Sequence, residues 1–111
     1  MIAAIDFGTS NSAVCVATPR AAPTLVPLEA ARDTIPTAIF YDAESRKAAF
    51  GRAAVEQYED GNEGRLLRSL KSLLGSPLVN ETTEIYNEAT PYRKVIAHFL
   101  QHLKEIGRAH V

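Results

Sequence analysis

Residues 6–12, Asp-Phe-Gly-Thr-Ser-Asn-Ser, bring a carboxylate, a glycine and a run of hydroxyl and amide side chains into one short stretch between two apolar runs. Those residue types suit a phosphate bound with a metal ion. A tight turn can aim several backbone N–H groups at one anion. Gly8 lets the backbone approach without a side chain in the way. Thr9 and Ser10 add hydroxyl donors. Asp6 is a carboxylate suited to Mg²⁺, often through the metal's waters. The stretch is not a Walker loop, because no GxxxxGK[ST] occurs in the chain. Asp, Gly, Thr, Ser and Asn also form turns for local reasons of their own, so spacing alone leaves a plain turn equally open. Lys71, on the helix reading of its segment, is a solvated charge opposite a leucine stripe. Among the histidines His98, His102 and His110, the first two are an i, i+4 pair. Such a pair can hold a metal, but with no third ligand evident all three are expected to be solvent-facing polar residues.

The elements that must position these residues are legible in outline. Residues 2–6 and 12–17 read as two strands, with Phe7 to Asn11 as a hairpin link. Ile2 to Ile5 is apolar throughout, as in a strand buried on both faces. "TPRAAP" (18–23) is a turn signal, and "TLVPL" (24–28) reads as a third strand, completing a meander. Strands at 37–41 and 47–50 form a second hairpin around "DAES", and residues 52–59 follow as a short helix. Residues 65–74, "RLLRSLKSLL", place Leu66, Leu67, Leu70, Leu73 and Leu74 at helical spacing, with Arg65, Arg68 and Lys71 opposite as charged surface. "TEIY" (83–86) reads as a short strand. A final helix is expected from a Thr90 cap and Pro91 to Gly107, with an apolar stripe of Tyr92, Val95, Ile96, Phe99, Leu100 and Leu103.

Composition bounds the rest. A chain of 111 residues has room for one small domain. Its 46% hydrophobic and 23% charged residues are ordinary for a globular protein. A net charge of -1 gives no general pull toward nucleic acid or an anionic membrane. The lone Cys15 is expected in the core rather than as a reactive thiol. No apolar run approaches the ~20 residues of a membrane span, and no signal-peptide pattern opens the chain. A cytoplasmic protein is the default.

Three blocks in order carry a resemblance. "IDFGTSNSAVCVA" resembles the first phosphate loop of the actin-like ATPase superfamily, which covers actin, sugar kinases and the seventy-kilodalton heat-shock chaperones. The match to the chaperone form runs from Asp6 to Ser12. "RDTIPTAIFYDAESRKAAFGRAAVEQ" is similar to the next chaperone block, and "LRSLKSLLGS" to the block with a catalytic lysine. The similarity covers nearly the whole chain and is closest to the DnaK-like chaperone branch. It implies an α/β fold of the ribonuclease-H-like, actin-like ATPase class, present in part: an N-terminal β-meander, an inserted mixed α/β subdomain and a C-terminal amphipathic helix. It also implies ATP or ADP with Mg²⁺ as cofactors. Asp6 would help hold the Mg²⁺ shell through water. Gly8, Thr9, Ser10 and Asn11 would wrap the β- and γ-phosphates. Lys71 would stabilise charge on the γ-phosphate or place the attacking water, which is positioning plus electrostatics.

The resemblance has limits. Ser72 stands where these chaperones often carry an arginine, and no second "DxGGGT"-like stretch follows. The chain is therefore expected to be the N-terminal piece of a longer ATPase, with residues 1–111 as one incomplete nucleotide-binding domain. Alone it is expected to hydrolyse ATP no faster than background. In the full-length protein, unfolded polypeptide clients and co-chaperones are the implied partners. The apolar stripe of the last helix is expected to lack its partner surface here and to drive self-association. A sugar kinase, a filament-type relative, a non-catalytic scaffold and a metal-dependent nuclease of ribonuclease-H type stand as alternatives.

Overall fold

The computed structural model describes residues 2–29 and 32–109. Strands β1 (Ile2–Phe7), β2 (Asn11–Thr18) and β3 (Ala21–Leu25) form an antiparallel meander, and the two-residue β4 (Ile35–Pro36) pairs with the start of β2. A second antiparallel sheet has β5 (Ala38–Asp42) between β6 (Ala48–Phe50) and β7 (Gly64–Arg68), with helix α1 (Arg52–Glu59) against it. A small hairpin, β8 (Thr82–Ile85) and β9 (Glu88–Pro91), leads into helix α2 (Tyr92–Ala109). The result is a small α/β fold of antiparallel sheets and two helices. None of the described helices is long and apolar enough to cross a membrane.

Helix α2 closes the main core. Its Val95, Ile96, Phe99 and Leu103 are buried among Val14, Val26, Ile35, Ile39, Leu67, Leu70 and Ile85. The stripe expected to be bare is thus covered by the chain's own strands, and that ground for self-association falls. Gly107 does not end the helix. It lies inside it, where a Cβ would come within 3.1 Å of Val14 Cγ1. The glycine lets helix and strand approach closely. Pro91 closes β9, and Thr90 donates to the Glu88 carbonyl instead of capping the helix.

The segment 65–74 is not a helix. Residues 64–68 form β7, and a 3₁₀ turn spans Leu70–Leu73. The leucines alternate: Leu67 joins the main core, and Leu66 packs on a smaller cluster of Ala38, Phe40 and Ala54 on the other face. A strand presents successive side chains to opposite faces, and β5 offers an open edge. Gly64 passes so close to the Tyr41 carbonyl that a Cβ would overlap it. Ser69, with φ 53°, ends the strand.

Three further expectations fail around the meander. β1 is an edge strand whose Ile2 and Ile5 are 70% and 40% exposed, so it is not buried on both faces. Only its last residue, Phe7, reaches the core, 6.0 Å from the Phe99 ring. β3 begins earlier than expected, at Ala21, and the turn narrows to Pro19 and Arg20. Cys15 is half-buried rather than a full core residue.

Candidate functional site

The link between β1 and β2 is held from below by one residue. Thr37 Oγ1 donates to the Gly8 carbonyl at 2.9 Å, and Thr37 N–H donates to the Ser10 carbonyl at 2.9 Å. Ser12 Oγ lies 2.8 Å from Thr37 Oγ1. A hydroxyl has one proton, and that of Thr37 goes to Gly8, so Ser12 is the donor in this pair. Ser12 and Thr37 are both 1% exposed. The peptide bonds are trans, and in a trans peptide C=O and N–H point oppositely. Drawing the Gly8 carbonyl inward therefore turns the Thr9 N–H outward. Among the described residues Thr9 makes no hydrogen bond, and Ser10 is engaged only through its carbonyl. A Cβ on Gly8 would overlap the Asn11 carbonyl oxygen, so glycine is the residue this loop accepts.

A cavity of about 80 Å³ opens beside the loop, lined by Ser10, Pro36, Thr37, Ala38, Arg68 and Ser69. Strand pairing brings these residues together. Arg68 sits across from Ala38 at the end of β7, one residue from Thr37, which holds the loop. Of the residues singled out in the sequence, Ser10 lines this cavity and Gly8 shapes the loop. Asp6, at the end of β1 opposite Ala13, is exposed, as are Thr9 and Asn11. Lys71 is exposed in the 3₁₀ turn after Ser69 and is not part of the cavity wall. Arg68, Ser69 and Thr37 were not singled out as site residues. The helical reading of 65–74 hid the first two, and Thr37 looked like any strand-edge threonine. The only local hint of Arg68 was the adjacent pair Leu66 and Leu67, which a strand sends to opposite faces, and a helical stripe accommodates the same pair.

The histidine pair has a different setting. His102 stacks on Phe50 with ring centres 4.0 Å apart, and His98 meets the edge of the same ring at 5.2 Å. His98 Nδ1 also lies 3.1 Å from the Tyr41 hydroxyl. Burial lowers the pKa of both imidazoles, and Glu105 partly offsets this. Burial, with Tyr86 nearby, pushes the Tyr41 hydroxyl up to about 12. Among the described residues no group of three His, Cys, Asp or Glu is placed to hold a metal, and His110 lies outside them. A larger cavity of about 360 Å³ near Tyr41 and Tyr86 is faced by Arg46, Arg65, Glu63 and Glu84. Its mixed charges favour no single ligand class.

No protein-family model matches the chain, and no curated protein matches it.

Proposed function

We propose that the chain supplies the first phosphate loop of a Mg·ATP site in an actin-like ATPase of heat-shock-chaperone type, acting in the cytoplasm. The observation that carries this reading is the loop from Gly8 to Ser10. Thr37 holds its carbonyls inward, leaving the Thr9 amide and the Thr9 and Ser10 hydroxyls without protein partners among the described residues. Gly8 is needed for the loop's own close turn, since a Cβ there would strike the Asn11 carbonyl. Preorganised donors of this kind cost little to reorganise when charge develops nearby. In this reading Gly8, Thr9, Ser10 and Asn11 hold phosphate oxygens. Asp6, alone as a carboxylate at the strand end, holds Mg²⁺ through water. Lys71, on a short turn rather than a helix, would have to reach the terminal phosphate from the exposed side. Nucleotide supplies the phosphoryl group, and the base and the remaining phosphate contacts come from other residues. Clients and co-chaperones belong to the whole ATPase.

The test is a titration of the isotope-labelled chain with Mg·ATP, followed through its backbone amide signals. Shifts centred on residues 8–12 at millimolar nucleotide, abolished by Gly8→Ala, are the expected result. ATP hydrolysis stays at background. Absence of shifts in this loop, or shifts unaffected by Gly8→Ala, would overturn the reading.

A further inference from the structure

The cavity beside the loop has one unbalanced feature. Its wall carries a single charge, that of Arg68, and no carboxylate. Among the described residues the Arg68 side chain has no ion pair and no hydrogen bond, whereas Arg52 is paired with Glu29 and Arg65 donates to Thr83. A guanidinium offers five donors in a planar fork suited to phosphoryl oxygens. The same cavity is lined by Ser10, whose hydroxyl is unpartnered among the described residues, and by Thr37. A volume of about 80 Å³ admits a phosphoryl-sized group and not a purine.

We propose that Arg68 binds the terminal phosphoryl group of a polyphosphate ligand, seated between its guanidinium and the Ser10 end of the loop. This rests on the phosphate-loop reading and extends it. The cation that shares a cavity with the loop is Arg68, at the end of β7, and not Lys71 three residues on. The fold supports the placement twice over. Pairing of Ala38 with Arg68 fixes the arginine beside β5, and the two Thr37 hydrogen bonds fix the loop to the same strand. Both halves of the site are therefore referred to one rigid segment, residues 37–38. Ser69, with φ 53°, turns the chain away directly after Arg68.

The experiment is amide-signal titration of the chain with inorganic tripolyphosphate, without magnesium, on wild type, Arg68→Gln, Arg68→Lys and Lys104→Gln, the last an exposed α2 residue outside the cavity lining. Tripolyphosphate should shift Ser10, Thr37 and Ser69. Arg68→Gln should raise the Kd about five- to tenfold, the loss appropriate to charge-assisted hydrogen bonds at an open site. Arg68→Lys should lie between, because lysine keeps the charge and loses the fork. Lys104→Gln, the same loss of charge away from the cavity, should change the Kd less than twofold. Arg68 is exposed, so unchanged signals from the β5 and β7 residues will show that each variant is folded. An Arg68→Gln Kd equal to wild type overturns this assignment while leaving the loop reading standing. No shift at Ser10 in wild type overturns it together with the anion site. Retained tripolyphosphate binding with no loop response to Mg·ATP overturns the nucleotide reading alone.

Discussion

The hydroxyl relay from Ser12 through Thr37 to Gly8 makes a prediction whose size follows from geometry. Thr37→Val keeps the side-chain shape and removes the hydroxyl. Two hydrogen bonds disappear, those of 2.8 and 2.9 Å. Each contributes on the order of 1 kcal/mol net. The Gly8 carbonyl is only half-buried and can turn to water. Ser12, 1% exposed, cannot. Its stranded proton should add roughly 1 kcal/mol. The expected cost is about 2–3 kcal/mol, read from urea unfolding by circular dichroism with an unchanged m-value. Ser12→Ala removes one bond and leaves no buried donor unpaired, so it should cost only about 1 kcal/mol. The double variant should be less destabilised than the sum by about 2 kcal/mol, because the Ser12–Thr37 bond is counted in both single variants and the stranded donor no longer exists. A Thr37→Val variant within 0.5 kcal/mol of wild type, or strict additivity in the cycle, would show that the relay does not hold the loop.

Other variants test other joints. Glu29 accepts from Arg52 N–H at 2.7 Å at the start of α1 and from its guanidinium at 2.6 Å. Glu29→Ala should cost about 1–2 kcal/mol and Glu29→Gln about half that, since an amide oxygen can still accept from the backbone. Gly107→Val should destabilise by roughly 2 kcal/mol through overpacking against Val14, whereas Gly107→Ala should be near neutral as helix propensity offsets the tight contact. The lowered pKa values of His98 and His102 make acid unfavourable for the fold. Their stabilising effect is complete above the ordinary histidine value of 6.5. It is lost as pH falls toward their folded values, because the unfolded chain takes up protons first. His102→Phe should flatten the stability profile between about pH 5 and 7, measured by urea midpoints. An unaltered slope would contradict the burial of that ring.

Much of this protein was legible before any coordinates. The loop chemistry is local: Asp6, Gly8, Thr9 and Ser10 lie in one short stretch between two apolar runs, and a meander around it follows from turn residues and apolar runs. Helix α2 was also visible, because a wide apolar stripe over many residues leaves little ambiguity. Residues 65–74 were misread because two adjacent leucines satisfy a helical stripe and a strand with two apolar faces equally well over so short a span. What decided between them was the open edge of β5, a partner distant in sequence. The same pairing brought Arg68 to the cavity beside the loop, and other long-range contacts bonded Thr37 to Gly8 and set Gly107, inside α2, against Val14. Residue types and local spacing determined which polar groups the loop carries. Only tertiary structure decided which cation stands beside it, because strand partners and close helix–strand contacts depend on surfaces that no local pattern contains.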